Sequence, residues 1–263
     1  MILLLGGTKD SREIAKRLLQ EGYLIVGTVT TPYGKKLLEE IEKVKVYCIS
    51  LNEFCFYELI HKEKITLILD ATHPYATEIS KLAMKVSKRE GIPYIRFERR
   101  PIQYKNIIIL KDIEEAVKFL KNTQGNIMLT IGSKNLEPFV KQIERKRFYV
   151  RVLPTPEVIA KCNKLGIDIG HIIGMQGPFS KELNQALYKQ YHIQYMITKE
   201  SGEIGGTLEK VQAALELGIQ ILMIERPSIE YEKIFYNIEK LIDAIKEEER
   251  KNGKRLVNCR AWK

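Results

Sequence analysis

Residues 70–76 read Asp-Ala-Thr-His-Pro-Tyr-Ala and follow directly on the apolar, β-prone run Ile65-Thr66-Leu67-Ile68-Leu69. A strand that ends in such a turn presents polar groups at the carboxyl edge of a sheet, where open α/β sheets bind ligands. Pro74 blocks continuation of the strand and biases His73 toward an extended backbone, so a stiff turn holds the imidazole. Thr72 and His73 are placed to hydrogen-bond a ligand, and His73, which ordinarily titrates near neutrality, to relay a proton. The plainer alternative is that Asp70 and Thr72 tie down the turn.

A second string, Gly6-Gly7-Thr8-Lys9-Asp10-Ser11, follows a strand-like Ile2–Leu5 and opens a helical segment. Glycines there let the backbone approach a phosphate, and a helix start offers unpaired N–H groups and a positive dipole end. The full G-x-G-x-x-G is absent, so position in the chain carries the reading more than pattern. After the second strand, residues 27–36 contain Thr30, Thr31, Lys35 and Lys36 and no carboxylate. An acidic residue at this point would favour NAD, whereas hydroxyls and lysines suit a 2′-phosphate. Gly6, Gly7, Thr8, Thr30, Lys35, Thr72 and His73 are therefore the candidate contacts to a nicotinamide dinucleotide, NADPH or NADH.

In the second half, four turns fall after predicted strands, around Gly132-Ser133-Lys134, Leu153-Pro154-Thr155, Gly177-Pro178-Phe179 and Lys199-Glu200-Ser201-Gly202. Each joins small residues to a hydroxyl, a cation or a helix start, a combination suited to carboxylates or phosphates. Taken singly they are ordinary loop punctuation. Their recurrence on one predicted sheet edge nominates Gly132, Ser133, Lys134, Gly177, Pro178, Lys199, Ser201 and Gly202 as substrate contacts. His73 and Lys199 are the candidate catalytic residues.

The elements that would carry these loops alternate short apolar runs with amphipathic helical lengths, the signature of parallel βαβ units. Strands are expected over 2–5, 23–29, 45–48, 66–69, 94–97 and 107–110, then over 126–131, 148–152, 171–173, 195–198 and 219–224. Helices are expected over 11–21, 78–91, 113–121, 156–165, 181–190, 208–217 and 230–246, with a charged tail over 247–263. Eleven strands exceed one mononucleotide-sized sheet. The expectation is an α/β protein of two doubly wound Rossmann-like domains, 1–111 and 112–263, with mostly parallel sheets facing a central cleft. A strand between 94 and 110 is free to join either sheet.

Composition narrows the partners. The 263 residues, 44% of them hydrophobic, suffice for two cores. No run approaches the roughly 18 apolar residues of a membrane span, and the chain opens on a strand instead of a basic leader, so a cytoplasmic protein is expected. Cys48, Cys55, Cys162 and Cys259 form no C-x-x-C pair and the four histidines lie far apart, which argues for buried free thiols and no metal site. The net charge of +10 comes without a zinc finger, an RNA-binding signature or a long basic run, so nucleic acid is not the expected partner. An anionic small molecule would suit the same excess.

Together, Gly6-Gly7-Thr8, Asp70–Ala76, Arg100-Pro101, residues 129–132, Arg151-Val152-Leu153-Pro154, Gly177-Pro178-Phe179, Thr198-Lys199 with Ser201-Gly202, and Arg226-Pro227 resemble the precorrin-6A reductases, including the cobalt-precorrin-6A branch, of corrin-ring biosynthesis. The resemblance runs in family order over nearly the whole chain. It implies hydride transfer from NADPH or NADH to a conjugated carbon of a polycarboxylate tetrapyrrole, with a proton added at the neighbouring carbon. It would also give Lys134, Arg151 and Lys199 carboxylates to pair with. Two rivals stand beside it: a nucleotide- or tetrapyrrole-binding module without turnover, and a nicotinamide-dependent enzyme of another anionic substrate.

Overall fold

A computed structural model describes residues 1–202 and 206–252. Within them the chain forms two compact units, one of residues 1–99 together with those from Pro227 onward, the other Arg100–Arg226. The first stretch runs β1 (Ile2–Leu5), α1 (Lys9–Gln20), β2 (Ile25–Val29), α2 (Pro32–Glu39), β3 (Val44–Cys48), α3 (Glu53–Lys62), β4 (Leu67–Asp70), α4 (Thr77–Glu90) and β5 (Tyr94–Phe97). The second unit follows as β6 (Ile108–Leu110), α5 (Ile113–Lys121), β7 (Asn126–Leu129), α6 (Glu137–Val140), β8 (Phe148–Val152), α7 (Pro156–Lys164), β9 (Ile172–Gly174), α8 (Lys181–Gln190), β10 (Ile193–Lys199), α9 (Thr207–Glu216) and β11 (Gln220–Ile224). The chain then returns to the first unit with β12 (Ile234–Phe235) and α10 (Ile238–Asn252).

Each unit holds one six-stranded, wholly parallel sheet, ordered β12-β5-β4-β1-β2-β3 and β6-β11-β10-β7-β8-β9. Parallel sheets need both faces covered, and β1 shows how the sequence answers. All four of its residues are buried, and successive side chains point to opposite faces. Ile2 and Leu4 pack with Ile14 and Leu18 of α1 and with Leu241, Ile242 and Ile245 of α10. Leu3 and Leu5 pack with Phe56, Leu59 and Ile60 of α3 and with Ala83 and Val86 of α4. In β2, Gly27 lets α2 close onto the sheet, since a Cβ there would lie 2.5 Å from Leu38 Cδ2.

The domain limits expected from sequence need correction at both ends. β6 pairs with β11 in the second sheet, so the first unit stops at Arg99 and not at 111. The C-terminal helix belongs to the first unit, because Leu241, Ile242 and Ile245 complete the core on β1. That helix begins at Ile238 and not at 230, since Ile234 and Phe235 first add a strand beside Arg96 and Phe97 of β5. Helices α2, α3 and α6 are not among the helices expected from the sequence. Of the cysteines, Cys162 is buried, but Cys48 is exposed and Cys55 half-buried, and all three are free thiols. Cys259 and the tail beyond 252 lie outside the described residues. No helix among the described residues is long and apolar enough to cross a membrane.

If α10 is integral to the first core, Ile242→Ala should cost about 2–4 kcal/mol of stability, the range for truncating a buried isoleucine. Urea denaturation followed by circular dichroism measures it, and an unchanged midpoint would show that the helix is a dispensable appendage.

Candidate active site

In both sheets the strand order reverses once. The first sheet grows from β1 toward β3 on one side and from β4 outward on the other. The second does the same from β7 and β10. Crossovers on the two sides of such a point diverge, which leaves a crevice above the carboxyl ends of the two central strands. In the first unit this crevice is a cavity of about 540 Å³, within the range of small-molecule sites. Gly6 and Gly7 after β1, Thr30 after β2, Ser50 after β3, and Thr72 and His73 after β4 line it, with Glu78 and Leu82 of α4.

The glycine turn fits a phosphate on two observations. Gly7 has φ +110° with nothing within 4 Å of a Cβ built there, a conformation open to glycine and costly for other residues. The 12-residue helix α1 starts immediately behind it, so its dipole faces the same space. Thr8 does not line the cavity. Its hydroxyl accepts from Ser11 N–H at 3.0 Å as the helix cap and donates to the Ala71 carbonyl at 2.9 Å, tying the glycine turn to the end of β4. Lys35 also lies outside the lining residues and pairs with Glu39 at 3.5 Å on the exposed face of α2.

The turn after β4 is built on Asp70, which is fully buried. A buried carboxylate must be satisfied by donors, and Asp70 collects five hydrogen bonds. Its Oδ1 accepts from Thr72 N–H at 3.0 Å, Thr72 Oγ1 at 2.7 Å and Arg96 Nη1 at 2.6 Å. Its Oδ2 accepts from Ser80 Oγ at 2.6 Å and Tyr94 Oη at 2.7 Å. The Thr72 hydroxyl proton and amide are thus spent inside the turn, so Thr72 positions rather than reaches outward. His73 is exposed, and a β-turn closes behind it with Ala76 N–H on the His73 carbonyl at 2.8 Å and Pro74 at its second position. The Tyr75 amide donates to His73 Nδ1 at 3.3 Å, which places the proton of the neutral ring on Nε2.

In the second unit, Ser133 and Lys134 follow β7, and Lys199 ends β10 at the same kind of reversal. The Lys199 ammonium is pulled down to about 8, first by burial and then by the Lys134 charge. Glu200, buried at 7% exposure, gathers the loop beyond. It accepts from the amides of Ile102 at 3.2 Å and Gly202 at 2.9 Å and is ion-paired with Arg226. Asp70 with Arg96 and Glu200 with Arg226 are thus the same device, a carboxylate at or just past the end of β4 or β10 held by an arginine on or just past the neighbouring strand, β5 or β11. Ser201 bonds Thr207 at 2.8 Å.

Arg151, expected as a substrate contact, sits within the second unit's strand β8. It is buried, donates from Nη1 to Asn184 Oδ1 at 2.6 Å, and lies 4.3 Å over the Phe179 ring, the residue after Gly177 and Pro178. Burial and the Arg151 charge pull the neighbouring Lys210 of α9 down to about 7. Among the described residues neither Arg151 nor Lys210 forms an ion pair. No group of three potential metal ligands is present among those residues.

Of the nominated nucleotide contacts, Gly6, Gly7, Thr30, Thr72 and His73 meet at one cavity. The nominated substrate contacts all lie at the carboxyl ends of β7, β8, β9 and β10. Sequence reasoning missed Glu78, Ser50, Arg96 and Lys210. A charged residue inside Tyr94-Ile95-Arg96-Phe97 was a usable signal, because a lone arginine in a buried strand demands partners. So was Lys210, which shares the inward face of α9 with Thr207, Val211 and Ala214.

The family model described as precorrin-6x reductase CbiJ/CobK matches residues 1–246, and the chain belongs to that family of oxidoreductases. It is similar to a cobalt-precorrin-6A reductase of Priestia megaterium, 40% identical over 250 residues that span 93% of this chain and 98% of the relative. A protein of the same name from Methanocaldococcus jannaschii is 42% identical over 247 residues, 93% of this chain and 97% of that one. Among solved structures, a CobK precorrin-6A reductase superposes with a TM-score of 0.77 at 22% identity over 94% of this chain and 96% of that chain, which shows the shared fold.

The buried Lys210 makes stability depend on pH. Its folded pKa of about 7 lies below the ordinary 10.5, so the burden of housing its charge is carried in full below pH 7 and lifts as pH climbs toward 10.5. Lys210→Met should therefore stabilise the protein by about 2–4 kcal/mol at pH 6 and by progressively less toward pH 10. Chemical denaturation across that range measures it, and a gain independent of pH would contradict the assignment.

Proposed function

We propose that the protein is an NAD(P)H-dependent reductase that reduces one ring double bond of cobalt-precorrin-6A, or of precorrin-6A, to the corresponding 6B product. The observation that carries the nucleotide half of this reading is the cavity at the reversal of the first sheet, where Gly6, Gly7 and His73 meet. The names of the relatives at 40% and 42% identity support the cobalt-containing macrocycle. A reduced nicotinamide bound in the cavity would supply the hydride.

The chain's own residues then have three tasks. Gly6, Gly7 and the start of α1 receive the pyrophosphate. Thr30, on a strand end without a carboxylate, leaves room for a 2′-phosphate, which favours NADPH over NADH. His73, whose neutral-ring proton the Tyr75 amide leaves on Nε2, donates a hydrogen bond to the bound nucleotide or passes a proton. Lys134, Arg151 and Lys199 meet the carboxylate rim of the tetrapyrrole, with Ser133, Ser201 and the glycine-bearing turns supplying hydroxyl and amide donors. Lys199 suits the role of acid for the carbon beside the hydride acceptor, since an ammonium near 8 is protonated at neutral pH yet gives its proton more readily than an ordinary lysine.

Anaerobic assay of NADPH and NADH with cobalt-precorrin-6A tests the reading, and no nucleotide oxidation with either donor and either form of the macrocycle would end it. If Lys199 is the acid, kcat/KM should fall above pH 8 as the ammonium is lost. Lys199→Ala should lower kcat by about 10²–10⁴-fold and abolish that limb. Unchanged turnover in His73→Ala between pH 6 and 9 would remove His73 from proton transfer.

A further inference from the structure

We infer that Arg96, which no contact to a ligand would reveal, is the positioning residue of the nucleotide site: it fixes the Thr72–His73 turn from beneath. The inference rests on the proposed nucleotide reading of that cavity. Arg96 is completely buried in β5 and is not among the residues lining the cavity, so whatever it does there it does through its partners.

A guanidinium carries five N–H donors in a fixed plane, and all five are engaged. Nε donates to Glu98 Oε1 at 3.1 Å and Nη2 to the same oxygen at 2.9 Å. Nη1 donates to Asp70 Oδ1 at 2.6 Å and to Thr72 Oγ1 at 3.0 Å, and the second Nη2 hydrogen goes to the Thr72 carbonyl at 3.1 Å. Two of these bonds land on Thr72 itself, and a third lands on the carboxylate that holds the Thr72 amide and hydroxyl. Thr72, the residue before His73, is therefore clamped on its carbonyl, amide and side chain at once.

Arg96 is in turn held by the returning segment. Its amide donates to the Lys233 carbonyl at 2.9 Å. Its guanidinium lies 5.4 Å from the ring centroid of Tyr231, and that ring stacks at 6.4 Å on Tyr94, another Asp70 partner. A lysine keeps the charge but offers three donors from a point, so it cannot span Glu98, Asp70 and the Thr72 carbonyl together. A misplacement of about 1 Å at a reacting group is enough to cost on the order of 10²-fold in rate.

The test is Arg96→Lys in the full chain, assayed at a temperature where circular dichroism shows it fully folded. We expect kcat to fall by about 10- to 100-fold and the dissociation constant for NADPH, read by fluorescence without turnover, to rise, while KM for the macrocycle stays within about twofold. Thr72→Val removes the hydroxyl shared by Arg96 and Asp70 but leaves the ion pair. Its effect on kcat should be strongly non-additive with that of Arg96→Lys, as expected for one clamp. Should Arg96→Lys not fold, Thr72→Val alone carries the test through its kcat. A folded Arg96→Lys, or in its default Thr72→Val, with wild-type kcat and NADPH affinity overturns the inference while leaving the nucleotide reading intact. Wild-type protein that binds neither NADPH nor NADH overturns both.

Discussion

Parallel strands cannot be joined by hairpins, and that constraint orders everything else in this protein. Each crossover must climb over one face of its sheet, and a sheet that grows outward in both directions from its first strand sends its crossovers to opposite faces. In the first unit α1 and α2 pack on one face and α3 and α4 on the other. The gap they leave above β1 and β4 is where glycines, hydroxyls and His73 gather. The second unit repeats the order of strands, and its lysines and glycine turns gather at the equivalent edge.

The two units share one carboxylate–arginine device and differ in the other charges they bury. In the first, buried ions are matched: Asp70 and Glu98 with Arg96, and Asp10 with Arg99. A matched buried pair holds geometry more than it adds stability, which is what a turn presenting one imidazole requires. In the second, Arg151 and Lys210 are buried beside one another without an ion pair among the described residues. Two buried cations without an ion pair of this kind, Arg151 and Lys210, weaken the fold and strengthen the hold on an anion that enters. A ligand with several carboxylates is the natural complement.

Much of this was legible in the residues. All eleven expected strands are present, because apolar β-branched runs bounded by glycine and charged turns leave little ambiguity. The loops after β1, β4, β7 and β10 could be named because function in such folds concentrates at strand ends. What stayed hidden depends on distant pairing. β12 is two residues long and owes its existence to β5, more than 130 positions earlier, so 230–246 reads as one helix. Thr72 looked like a ligand contact because a hydroxyl in a turn does not disclose that Asp70 and Arg96 have already taken it. Thr8 lies in the glycine turn expected from sequence, but its oxygen is used in capping α1 and holding Ala71. The burial of Arg151 was not legible because it depends on Asn184 and Phe179, which come from a later helix and loop.

The interruption of the first unit by the second also orders events during synthesis. When residue 99 leaves the ribosome, β5 has an open edge, and Ile2 and Leu4 lack the Leu241, Ile242 and Ile245 side chains that cover them. The second unit is continuous in sequence and can close as soon as residue 226 emerges. The first must wait with an apolar face exposed for over a hundred residues of elongation, the kind of exposure that invites aggregation or chaperone capture. Until then the turn after β4 also lacks Tyr231 over Arg96. Nascent chains halted before residue 227 should thus be competent for the later domain and unfinished in the earlier one.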